Sequence, residues 1–383
     1  MTDDRLRAAE LIALIQRVFS PGASERSLAI LVDLPDGALA DNDDWRLRRE
    51  LAAGWALELE EAADAGLEVG LYGYRNARAN NADLPEFAWR LTAGESPACC
   101  AEVEGRPAIP FDEVLTRHRL ALAPTELSAT APLKMMARRL GFRAATMPGF
   151  SPAMVPALRL DYTEVNRQVR RLKELLDEAT AADLLFRVDG AEEHRLHLDL
   201  RHRSAHASGG LLPEPGTAGN LPSGEAYIVP YEGELANDPT ATAGVLPVQL
   251  GQEVVLFRIA ANRAREVLTR GEASQREAAL LAAEPARGNI AELGLGVLAG
   301  FGVAPVGEVL LDEKLGLHVA FGRSEHFGGQ VGPAAFSRPE AVIHQDHVYI
   351  PELQPRIEAA EVTLDVAGRP LLLMQAGRYA IEL

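Results

Sequence analysis

His344 and Asp346 stand two residues apart in the run IHQDHVY. An extended strand has a side-chain period of two, so both groups share one face while His347 points to the other. An imidazole nitrogen and a carboxylate oxygen at this spacing can bind one divalent ion, although a surface pair has the same spacing. His318 lies in LGLHVAFG, where a histidine is either a hydrogen-bonded core residue or a ligand. Glu292 interrupts the apolar segment NIAELGLG, and burying a carboxylate is costly unless it is paired or bound to a cation. Glu225 follows NLPSG, a Pro and Gly turn that throws a carboxylate into a loop mouth. Together these five residues supply two histidines and three carboxylates, a ligand stock for one or two divalent ions. A metal-dependent enzyme with its site in the C-terminal half is the expectation.

The remaining histidines point elsewhere. His194, His197, His202 and His206 cluster in HRLHLDLRHRSAH, and the first two fall on opposite strand faces. That stretch reads as a solvated polar strand face, with His202 or His206 able to lean toward a site. His118 is the one histidine in the first 125 residues, which are not expected to supply ligands.

The elements that must carry these groups can be read from periodicity. Ser27 to Leu34 is a short apolar run closed by Pro35-Asp36-Gly37, a strand and then a turn. Residues 43–65 have a helical pattern ended by Gly66, and 67–72 and 120–123 read as further strands. Residues 161–181 form the clearest helix. Then the texture changes: a hairpin over 184–200 turning at Asp189-Gly190, a Gly- and Pro-rich stretch from 208 to 224 that is an active-site loop or a boundary crossing, short strands, and a helix over 261–283. These spacings imply an α/β protein. An N-terminal α/β domain over 1–182, with a mainly parallel sheet, precedes a mixed α+β metal-binding catalytic domain over 183–383.

Composition bounds the function. The chain has 383 residues, 47% of them hydrophobic and 24% charged, which suits two packed cores. A formal net charge of -17 argues against a nucleic-acid partner or an anionic membrane surface. The two cysteines, Cys99 and Cys100, are adjacent, so neither a disulfide framework nor a CxxC zinc site is available. With no secretory leader pattern and no run of 18 apolar residues, a cytoplasmic location is expected.

The segments NLPSGEAYIVP, GNIAELGLG, LLDEKLGLHVAFGRSEHFGG and VIHQDHVY occur in this order and resemble the M29 metallo-aminopeptidases, the thermophilic aminopeptidase or aminopeptidase T group. ATMPGFSPAMV and the DYTEV helix upstream add to the resemblance, which covers about residues 125 to 383 and is diffuse before that. It implies two divalent ions (zinc, cobalt or manganese), a homodimer, and action on the N-terminus of short peptides. Carried over by motif, Glu225, Glu292, His318, His344 and Asp346 are metal ligands, with Glu225 doubling as general base. One position departs from the pattern. The peptidases have a metal-binding tyrosine seven residues after the matched histidine, where this chain has Glu325 followed by His326. A carboxylate there can replace the phenolate as a ligand, and His326 can donate a hydrogen bond in catalysis. The change can also mark a different reaction. Relatives of this fold resemble 2,5-dihydroxypyridine dioxygenases, which use one Fe(II), and His318, His344 and Asp346 make the two-histidine, one-carboxylate set such chemistry uses. A non-catalytic accessory protein on the same fold is the third reading.

Overall fold

The computed structural model describes residues 4–62 and 66–383. It is a mixed α/β protein with three sheets, one of them partly parallel. The chain divides into two compact units, Met1–Val165 with Gly210–Ser223, and Asn166–Gly209 with Gly224–Leu383.

In the first unit a seven-stranded sheet runs in the order 218–220, 143–146, 120–123, 27–34, 68–75, 87–91, 108–110. The first five strands pair in parallel and the last two add antiparallel. Ser27–Leu34 is buried along nearly its whole length, as a central strand covered on both faces must be. Its Ala29 and Leu31 join Tyr72, Tyr74, Phe111, Val114 and Leu133 in a core cluster. The helix expected over 43–65 is described over Asp43–Glu61, its start set by Asn42, whose side chain accepts from the Trp45 amide at 2.8 Å. Residues 63–65 of that expectation lie outside the described residues.

The division differs in two respects from a break after residue 182. The change of unit falls inside the helix Tyr162–Glu178, and Gly210–Ser223 returns to the first unit. That segment supplies the strand Ala218–Asn220, whose backbone groups pair with Arg143–Thr146. The Gly- and Pro-rich stretch is thus a boundary crossing.

The second unit holds two antiparallel sheets. Eight strands run in the order 263–267, 253–260, 243–250, 192–199, 179–188, 357–366, 369–375, 378–379. Five more run in the order 344–348, 317–322, 290–296, 225–228, 206–208. The expected hairpin is present but longer, Ala179–Val188 with Glu192–Asp199. The helix expected over 261–283 needs correction. Ala261 and Asn262 adopt positive φ in a tight turn, Arg263–Val267 continues as a strand, and the helix is Glu272–Ala283. Among the described residues no helix is long and apolar enough to cross a membrane.

Candidate metal centre

The five-stranded sheet of the second unit sorts its residues by face. Glu225 lies opposite Gly296, Gly294 opposite His318, Glu292 opposite Ala320, Ala320 opposite Asp346, and Gly322 opposite His344. Directly opposed residues share a face, so all five ligand-type side chains project to one side. An irregularity between Ile290 and Glu292 shifts the pairing there, leaving Ile290 opposite Phe321 and Glu292 opposite Ala320. On the other side lie Leu293, Leu295, Val319 and Phe321, and His347 meets the Phe321 ring edge-on with centroids 5.7 Å apart.

Small residues clear the polar side. A Cβ at Gly294 would fall on the imidazole of His318, and one at Gly296 would fall on the main chain of Lys314. The alternation Glu-Leu-Gly-Leu-Gly after Ala291 is therefore one carboxylate followed by two vacated positions, over which a ring and a backbone segment lie.

Glu292 is the centre of the arrangement. Its Oε1 is 3.3 Å from His318 Nε2 and its Oε2 is 3.1 Å from His344 Nε2. His318 Nε2 is also 3.6 Å from Glu225 Oε2, and His344 Nε2 is 3.6 Å from Asp346 Oδ1. Two groups result, Glu225, Glu292 and His318 on one hand and Glu292, His344 and Asp346 on the other, with ligand atoms within 4.8 Å of one another in each. Each histidine turns its Nδ1 to a main-chain carbonyl, His318 to Gly316 at 3.4 Å and His344 to Arg323 at 2.8 Å. A carbonyl only accepts, so Nδ1 carries a proton; toward the carboxylates Nε2 donates as well, and a cation displacing that proton would meet the Nε2 lone pair, the orientation a metal-binding histidine needs.

Burial raises the stakes. Glu225, Glu292 and His318 are buried, and the Asp346 side chain is only 6% exposed. Desolvation pushes the His318 imidazole down, but Glu292, Glu225 and Asp346 outweigh it and lift its pKa to about 9. His344 is raised likewise against its own desolvation, by Asp346 and Glu292. Burial works to raise Glu292 and Asp346, yet contact with the histidines holds both carboxyls below the ordinary range. Glu225 Oε2 and Asp346 Oδ1 are buried and make no hydrogen bond. Orphaned carboxylate oxygens beside histidine Nε2 atoms are what a divalent cation would satisfy, so the residues fit a metal.

Two further charged residues, Lys314 and Glu313, lie in the site without any motif to mark them. Lys314 is completely buried, its Nζ 3.0 Å from Glu225 Oε1 and in contact with Glu313. Burial raises the Glu313 carboxyl to about 8, opposed by Lys314 and reinforced by Glu225 and Asp346. The signal was present in DEKLGLH, but charged residues just before a strand read equally well as a solvated turn.

Glu325 does not join the cluster. It sits in a short 3-10 turn, half exposed, and pairs with Arg323 at 2.8 Å. His326 is exposed, its ring 5.2 Å from that of His344 at an angle of 83°. The neighbouring Phe327 packs 4.7 Å from Tyr227, which stacks 5.1 Å from His206. Tyr227 shares the strand face of Glu225, and burial with the nearby carboxylates Glu292, Glu225 and Glu313 raises its phenol well above the usual value. Among the other histidines, His197 pairs with Asp183, His202 with Asp238, and His206 with the Phe327 carbonyl. His118 lies in the first unit against Tyr72.

Solved structures share this fold. A 2,5-dihydroxypyridine dioxygenase from Pseudomonas putida KT2440 is 14% identical, with TM-score 0.61, over 97% of this chain and 96% of that one. Wild-type AmpT from Thermus thermophilus, an M29 aminopeptidase, is 18% identical, with TM-score 0.52, over 97% of this chain and 98% of that one. No protein-family model and no curated protein sequence matches the chain. At these identities the likeness shows the fold; both neighbours are enzymes.

Proposed function

We propose that this protein is a metal-dependent hydrolase of the aminopeptidase type, acting at the free N-terminus of short peptides. The observation that carries the reading is Glu292, whose two oxygens face two different histidines and so join two ligand groups into one centre. Glu225, Glu292 and His318 would hold one divalent ion and Glu292, His344 and Asp346 another, zinc, cobalt or manganese by donor type. Ions held there would polarise a carbonyl and lower the pKa of a bound water. Glu225, whose Oε1 is engaged by Lys314 and whose Oε2 lies 3.6 Å from His318 Nε2, would act as general base as well as ligand. Tyr227, Phe327 and His326 form an aromatic wall beside His344 against which a substrate side chain can pack. The proposal includes a cytoplasmic homodimer; the net charge of -17 supports a small-molecule partner over nucleic acid or membrane.

A second reading is supported by Glu325. Half exposed and bound to Arg323, it offers no oxyanion donor, and an ionised carboxylate would repel one. Ring cleavage of a dihydroxypyridine with a single Fe(II) would need no such donor, and one solved structure of this fold is a 2,5-dihydroxypyridine dioxygenase. The two histidines, however, belong to different groups in this structure. The experiment is a panel of aminoacyl anilides with zinc, cobalt or manganese, beside dihydroxypyridines with ferrous iron and oxygen. Metal-dependent anilide release, weak unless His326 takes the donor role, is the expected result. Ring cleavage instead would establish the dioxygenase, and silence in both assays would favour an accessory protein.

A further inference from the structure

We propose that Lys314 makes the two ion positions unequal, so that the position of Glu292, His344 and Asp346 fills first and that of Glu225, Glu292 and His318 binds at least about 100-fold more weakly. The inference rests on the two-position reading above and concerns loading, whatever reaction follows.

The two ligand groups resemble each other until Lys314 is considered. Each contains one histidine, one private carboxylate and the shared Glu292. The private carboxylate of the second group, Asp346, has its Oδ1 without a hydrogen bond and, among the described residues, no Lys or Arg at ion-pair distance, although the Lys314 charge acts on it from further off. The private carboxylate of the first group, Glu225, already has an ammonium 3.0 Å from its Oε1. That ammonium is a fixed internal cation. Lys314 is completely buried, so its charge cannot swing into water, and its main chain presses on the space left by Gly296. Its other partner, Glu313, is a carboxylate that burial drives toward neutrality, and so compensates the ammonium only in part. A divalent ion entering beside Glu225 therefore meets a like charge in a low-dielectric setting, while one entering beside Asp346 meets none at contact distance. Glu225 also reaches the ion with Oε2 alone, since Oε1 is engaged, which limits it to one bond.

The test is a metal titration of the chelator-stripped full-length chain, with Zn2+ followed calorimetrically and Co2+ followed by its visible absorption. The wild type should bind one ion tightly and a second at least about 100-fold more weakly, or only one within the millimolar range. Lys314→Met should tighten the second event at least about tenfold and alter the first less than about threefold. Lys314→Arg, which keeps the charge, should preserve the gap. His344→Ala should remove the tight phase and His318→Ala the weak one. Two equal ions in the wild type would overturn the proposal without any variant being needed. So would a folded Lys314→Met with an unchanged ratio, or loss of the tight phase in His318→Ala. Binding of no ion would overturn this inference and the two-ion centre together. Unequal binding with no hydrolysis of anilides would sustain it while removing the peptidase reading.

Discussion

Each unit buries one histidine completely, and the two surroundings act in opposite directions. His118 Nε2 in the first unit shares a hydrogen bond of 2.8 Å with the Tyr72 hydroxyl, whose oxygen also accepts from Arg90. Desolvation dominates there and lowers the imidazole to about 4, so His118 is a neutral core residue. His318 in the second unit is just as inaccessible, yet Glu292 and Glu225 reverse the effect and lift it to about 9. Burial alone says little about whether a histidine is structural. The sign of the local potential decides it, and only at His318 is the potential one that attracts a cation.

The largest effect should come from removing a ligand on the charged side. His344→Ala should cost most of the bound metal and most activity, read by metal analysis after dialysis; full retention would break the assignment. His118→Phe, its counterpart in the other unit, should leave metal content unchanged.

Gly294→Ala probes the same contrast without touching a ligand. The added methyl would occupy the space of the His318 ring, which has nowhere to relax within a buried cluster. The weaker of the two binding events should lose at least about tenfold in affinity, as for disturbed ligand support, with a lower melting temperature. Wild-type affinity in this variant would show that His318 is not a ligand.

The neutral histidine predicts a pH effect of defined sign. His118 has a folded pKa of about 4, below its ordinary value of 6.5. Between those values the unfolded chain takes up a proton that the folded chain refuses. Its contribution is therefore fully present above pH 6.5 and is lost as pH falls toward 4, roughly 3 kcal/mol in all at about 1.4 kcal/mol per unit. Denaturant titrations at several pH values, beside an NMR titration of the ring, would show it; a midpoint near 6.5 would contradict the core assignment.

Glu325→Gln should have the smallest effect. An exposed pair with Arg323 contributes at most about 1 kcal/mol, and metal content should change less than about twofold. A large loss of metal would mean that Glu325 turns inward as a ligand when the ions are present.

Much of the arrangement follows from the sequence alone, because local rules govern it. The spacing of His344 and Asp346 determined a shared face, and the cost of an unpaired buried carboxylate marked Glu292. The runs at 27–34 and 120–123 read as strands and are strands; the helix read over 161–181 is Tyr162–Glu178, its last three residues opening the strand Ala179–Val188. What only the tertiary structure decided depends on groups distant in sequence. Two histidines 26 residues apart take opposite oxygens of one glutamate because antiparallel pairing sets three strands in register. Lys314 enters the site because Gly296, on a neighbouring strand, leaves room for its main chain. Glu325 is turned away by a 3-10 turn and an arginine two residues before it, which no motif position reveals. The helix misread over 261–283 has the same origin. A positive-φ turn at Ala261 and Asn262 feeds an edge strand whose backbone bonds are made to 253–260, and only Glu272–Ala283 of that span is helical. Periodicity reports which side of an element is apolar; which charges meet across that side depends on strand register and close packing, and these are properties of the folded chain.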